Sequence, residues 1–249
     1  MSTIAGSMQS RPPSPVLQSI DQLLRDAPAV LERIREGRDL ATLAKAMILT
    51  IAFGGGVFGA AMGTFRGGEQ ILYAGVKLPI ALLLTMAICA PALTALNRAV
   101  GRAGCMRRDL ALVLSALARS SLVLAAQAPL VLLAVRAEAS YHAVVLLVVA
   151  CCSIAGIVGL TLFLRGLHAT QSSGLWTVAP ALFLVFALVG TQMSWTLRPF
   201  LLRPRTPDIV FVRAVEGSFF ESVARSVQSA RGIYMRESAP LPSEWEGER

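Results

Sequence analysis

The chain has 249 residues, 55% of them hydrophobic and only 15% charged, with 23 basic against 15 acidic residues for a formal net charge of +8; its mean hydropathy is +0.62. A soluble domain carries about 25% charged residues, so this composition excludes an ordinary soluble enzyme, a disordered chain and a secreted disulfide scaffold. The apolar residues gather in long runs, which makes lipid the expected solvent.

Residues 1–15 are polar and rich in Ser and Pro, with no charged segment leading into a short apolar core. They read as a disordered tail rather than a signal peptide. From 16 to 42 the pattern is helical. Val16, Ile20, Leu23 and Leu24 share one face, and Asp26-Ala27-Pro28 supplies a cap and an early-turn proline for a second helix. In that helix Val30, Leu31 and Ile34 face one way, Glu32, Arg33, Arg35 and Glu36 face others, and Gly37 ends it. Two amphipathic helices at the cytoplasmic surface are expected, resting on the membrane or the bundle, with recruitment of a partner as the sharper alternative.

Five apolar runs follow, at Leu43–Phe65, Ile71–Leu96, Leu110–Val135, Tyr141–Leu164 and Trp176–Leu197, each reaching the about 20 residues that cross a bilayer. Pro79, Pro91, Pro129 and Pro180 interrupt them, which neighbouring helices in a membrane can accommodate. The expected fold is therefore all-α: a polytopic membrane helix bundle of five transmembrane helices over 43–197, preceded by amphipathic surface helices and followed by a polar tail, 198–249.

Cations set the orientation. Arg11, Arg25, Arg33, Arg35, Arg38 and Lys45 precede the first run, Arg98, Arg102, Arg107 and Arg108 lie between the second and third, and Arg165 follows the fourth. The opposite side has only Arg66, Lys77 at a span edge, and Arg136. The N-terminus is expected in the cytoplasm of a bacterial cell, with the chain in the inner membrane. Five spans then put the tail outside, although Arg198, Arg203, Arg205 and Arg213 crowd its start; a re-entrant run would return it to the cytoplasm. Positive-inside bias accounts for the net charge, and no nucleic-acid partner is expected.

Neither catalytic nor metal chemistry is signalled. Cys89, Cys105, Cys151 and Cys152 form no C-x-x-C, and with only His142 and His168 no zinc spacing can be assembled. No catalytic motif or phosphate loop is present, no cofactor is implied, and no Asp or Glu falls within the five runs; Glu69, Asp109 and Glu138 sit at their edges. The absence of an intramembrane carboxylate argues against a coupled transporter.

Three groups of residues stand out. Gly55, Gly59 and Gly63, joined by Gly156 and Gly159, are candidates for close helix packing. Arg119, Gln127 and Gln192 lie inside apolar runs and form a candidate polar seam. At the end of the fifth run, Trp195, Arg198 and Pro199 suit the interface, and Arg198 could meet a lipid phosphate or Glu216 and Glu221.

A resemblance also emerges. Lys77-Leu78-Pro79, Ile88-Cys89-Ala90-Pro91, Asn97 and Gly101, Ser140-Tyr141-His142, and Gly156 to Leu160 precede Gly190-Thr191-Gln192-Met193-Ser194-Trp195-Thr196-Leu197-Arg198-Pro199-Phe200 and Glu216-Gly217-Ser218-Phe219-Phe220-Glu221. From about 40 to 223 this resembles a family of uncharacterised bacterial multi-pass membrane proteins ending in G-x-Q-M-x-W-x-L-R-P-F and E-G-N-F-[YF]-E, with Ser218 where the family has Asn. By topology alone it is similar to Yip1-type proteins. The expected function is a non-enzymatic scaffold or accessory subunit of a membrane complex or lipid organisation, its partners being membrane lipids and other membrane proteins or itself. The alternative is a channel or permease subunit with a polar route near Arg119, Gln127 and Gln192.

Overall fold

The computed structural model describes residues 15–102, 104–170 and 175–196, and every regular element among them is a helix. In chain order these are α1 (Pro15–Arg25), α2 (Ala27–Glu36), α3 (Leu40–Gly63), α4 (Gln70–Ala99), α5 (Met106–Arg136), α6 (Tyr141–Thr170) and α7 (Leu175–Thr196). Four of them, α3 to α6, are long and apolar enough to cross a membrane. The fifth apolar run gives α7, 22 residues long, of which Ala179–Met193 form an apolar helical segment among the residues whose side chains are described. The tails at 1–14 and 198–249 lie outside the described residues.

The long helices extend past the runs that identified them. Asn97, Arg98 and Ala99 continue α4 beyond its apolar segment, and Met106 to Asp109 begin α5 before its own. At 1.5 Å per residue, 30 residues make about 45 Å, against a hydrocarbon core of about 30 Å. Helix α4 is thus longer than a hydrocarbon core is thick. None of the four prolines interrupts a helix. Pro79 and Pro91 lie inside α4, Pro129 inside α5 and Pro180 inside α7, because each removes one backbone donor that packed neighbours can compensate.

Helix α3 lies between α4 and α5; α6 flanks α5, and α7 flanks α4. Glycine sets this order. A Cβ at Gly54 would come within 2.5 Å of the Ser121 carbonyl oxygen on α5, and one at Gly63 within 2.5 Å of the Gln70 carbonyl on α4. At Gly59 a Cβ would collide with the Ala74 carbonyl. In lipid the hydrophobic effect does not draw helices together, so backbone-close dispersion contacts carry the association.

Helices α1 and α2 form a hairpin against α3, α5 and α6 at the end where α3 begins. Leu23, Val30 and Ile34 are buried there, with Leu43 of α3 in the same cluster. The Asp26 side chain accepts from Ala29 N (3.1 Å) at the start of α2. At its end Gly37, with φ 74°, donates to the Ile34 carbonyl and Arg38 to that of Arg33 (both 3.1 Å), a Schellman turn. Arg33 then clamps the hairpin, donating to Ser19 Oγ (3.2 Å) and to the carbonyls of Arg38 (3.3 Å) and Asp39 (3.4 Å).

Candidate functional site

The polar groups of the bundle concentrate where α4 turns into α5. Helix α4 ends in a second Schellman turn: Gly101, with φ 73°, donates to the Arg98 carbonyl (3.0 Å) and Arg102 to that of Asn97 (2.8 Å). Arg98 Nε holds the Gly104 carbonyl (3.3 Å), closing the loop. The turn carries the first residues of α5 back onto the last turns of α4. Asp109 thereby meets Thr94 and Asn97, which share a face of α4 at i, i+3 spacing.

Thr94 Oγ1 donates to Asp109 Oδ2 (2.8 Å), and Asn97 Nδ2 to Asp109 Oδ1 (3.4 Å). All three side chains are buried. The carboxylate also lies in the first turn of α5, where the helix dipole favours negative charge. Arg102, 5% exposed, reaches across to the end of α6 and donates from Nη2 to the Leu167 carbonyl (2.7 Å), one of the last four carbonyls that helix α6 cannot satisfy itself. Burial pushes the Arg102 guanidinium down from its ordinary value, and the Asp109 carboxylate pulls it back up. The cluster thus ties together α4, α5 and α6.

A small cavity of about 20 Å³ adjoins it, lined by Asn97, Arg102, Arg108 and Asp109 from the α4–α5 corner, by Leu31, Ile34 and Arg35 of α2, and by the end of α6. Asn97 Oδ1 is buried without a hydrogen-bond partner. The Arg108 guanidinium lies across the α2 terminus, 3.6 Å from the place a Cβ would take on Gly37.

A second feature is apolar. Between α5, α6 and α7 a groove of about 430 Å³ is lined by residues including Val113, Leu117, Ile157, Phe163, Phe183 and Phe186. Its two hydroxyls are already engaged, Ser120 with the Ala155 carbonyl (2.9 Å) and Ser153 with that of Val149 (2.8 Å). Water would find few partners there.

The residues singled out by sequence fall as follows. Gly55 faces Pro79, whose nitrogen would be 3.4 Å from a Cβ; Gly59 and Gly63 meet α4; Gly159 lies against Ser120 and Ala116 of α5. Gly156 approaches nothing, since a Cβ there would meet no atom within 4 Å, and it lines the groove. Arg119 and Gln127 are partly buried on α5, and both amide atoms of Gln127 are buried without a partner. Gln192 is partly buried on α7, which packs chiefly on α4. None of these three lines the groove or the small cavity. Trp195 falls in the last turn of α7, but its side chain, with Arg198, Pro199, Glu216 and Glu221, lies outside the described residues.

Sequence reasoning did not single out Asp109, Thr94 or Arg102. The one available signal is the Thr94–Asn97 pair at the end of an apolar run, three residues apart and facing whatever the next helix brings. Lys77 was also read as a span-edge residue, yet it is fully buried, about 10 Å along α4 from its start. Among the described residues no group of three His, Cys, Asp or Glu could hold a metal ion. No protein-family model, no curated protein and no solved structure matches the chain.

Proposed function

We propose that this is a non-enzymatic scaffold or accessory subunit of a membrane complex, crossing a bacterial inner membrane five times from a cytoplasmic N-terminus. The observation that carries the reading is the backbone contact of α3 with both α4 and α5 at Gly54, Gly59 and Gly63. A helix seated this way fills the middle of the bundle, giving a stiff framework rather than a conduit. The α1–α2 hairpin stands at the arginine-rich end, and its exposed Leu17 and Leu24, seven residues apart, form a short apolar stripe. That stripe suits either the membrane surface or a partner helix.

Co-purification in mild detergent tests the scaffold. Removing the hairpin would strip cover from Leu43, so the discriminating variant is Leu17→Glu with Leu24→Glu, which alters exposed positions only. Release of a co-purifying membrane protein is expected; unchanged association would end the recruitment idea. A channel or permease subunit is the second reading, and the unpartnered Gln127 amide favours it. It requires ion or solute flux in proteoliposomes that Gln127→Leu abolishes.

A further inference from the structure

The small cavity beneath α2 combines three properties that together specify a ligand. Three guanidiniums, from Arg35, Arg102 and Arg108, line it against the single carboxylate of Asp109. They come from α2, the α4–α5 turn and α5, so the fold rather than a run of sequence assembles the charge. Arg102 and Asp109 are committed to the bundle through Leu167, Thr94 and Asn97, whereas Arg35 and Arg108 are exposed at the rim. Arg35 shares its guanidinium with Glu32 at 3.4 Å in an exposed pair, a contact weak enough for a phosphate to displace.

Secondly, one lining residue carries a buried orphan acceptor. Asn97 is 3% exposed, its Nδ2 serves Asp109, and its Oδ1 has no partner. Such a group calls for a donor. Thirdly, the space of about 20 Å³ admits a single water-sized group. A phosphate is too large to enter, but a hydroxyl attached to one fits. Asn97, Arg102, Arg108 and Asp109 of the cavity lie beyond the apolar runs, where headgroups are expected if α4 and α5 span a bilayer.

We propose that this cavity is a binding site for a phosphodiester bearing a hydroxyl, supplied by phosphatidylglycerol of the adjoining leaflet. The phosphate bridges Arg35 and Arg108 at the rim, and a glycerol hydroxyl donates to Asn97 Oδ1. Basic pockets between membrane helices at the cytoplasmic face bind anionic headgroups in this way. The inference rests on the reading of the chain as membrane-embedded with its arginine-rich end in the cytoplasmic leaflet, but not on a scaffold role.

Native mass spectrometry of the full chain in detergent, with added lipids, tests it. Phosphatidylglycerol should be retained about fivefold better than phosphatidylmethanol, which has the same charge and no hydroxyl. Arg35→Gln with Arg108→Gln should weaken phosphatidylglycerol retention about thirtyfold. Because the first comparison changes only the lipid, it holds even if the double variant folds poorly. Equal retention of the two lipids would mean that the cavity holds water alone, and would overturn the proposal. So would indifference to the arginine substitutions in a folded variant. Displacement of the lipid by equimolar glycerol 3-phosphate would reassign the site to a soluble phosphate ester, again against the proposal. Absence of any co-purifying membrane protein, with lipid selectivity intact, would instead count against the scaffold alone.

Discussion

A methyl group added at Gly59 would strike the Ala74 carbonyl, whereas one added at Gly156 would meet open space. Gly59→Ala should therefore destabilise the protein by about 1–3 kcal/mol through overpacking. Gly156→Ala should stabilise it by about 0.5–1 kcal/mol, since a helical glycine costs backbone entropy that alanine does not. Thermal unfolding in one detergent compares them, and equal shifts would refute the packing account. Asp109→Ala offers a second test at this scale. It strands the Thr94 hydroxyl and Asn97 amide without their acceptor, an expected loss of about 1–3 kcal/mol on the same thermal measurement. Asp109→Asn keeps an acceptor for Thr94 and should cost less. The four-residue glycine spacing was visible in the sequence, but not which backbone each glycine meets. Asp109 stood in plain sight beside four arginines and passed for a solvated edge residue. Its partners precede it by 12 and 15 residues across a turn, and only the geometry of that turn brings them together.

Helices α2 and α4 both end in glycine turns that most other residues adopt only at a cost. Gly37 closes α2 and Gly101 closes α4, each in the left-handed region. Alanine at either should cost about 1–2 kcal/mol. Their local effects should differ: Gly37→Ala should loosen the hairpin, and Gly101→Ala the polar cluster. Hydrogen exchange separates the two, with faster exchange confined to residues 16–36 in the first case and to 94–109 in the second. Loss of protection throughout the bundle in both would refute this division. At this scale the apolar runs were legible because lipid demands their length, whereas their ends were not. Asn97 to Ala99 lie beyond the apolar run, yet they continue α4, where Asn97 donates to Asp109 and the Schellman turn caps the end. The prolines, expected to be accommodated by neighbouring helices, do lie inside continuous helices.

At the scale of the whole molecule, composition pointed to a helical membrane protein, and four helices, α3 to α6, are long and apolar enough to span. The number of crossings turns on α7, whose 22 residues make about 33 Å against a hydrocarbon core of about 30 Å. Reporter fusions after Gly247 decide it. A reporter active only outside the cytoplasm is expected from five crossings, and cytoplasmic activity would leave four and move the tail to the arginine-rich side. Tilting, interfacial side chains and packing on α4 all bear on whether this helix crosses.

The glycines of α3 also impose a timetable. Helix α4 emerges from the ribosome directly after α3, so Gly59 and Gly63 can seat against Ala74 and Gln70 while synthesis continues. Gly54 has no surface to meet until Ser121 of α5 has been made. Between those moments one side of α3 waits bare in the bilayer, open to whichever neighbour arrives first. The order of translation is thus also the order of assembly, and a chain stalled before α5 would present that side to insertion chaperones and membrane proteases.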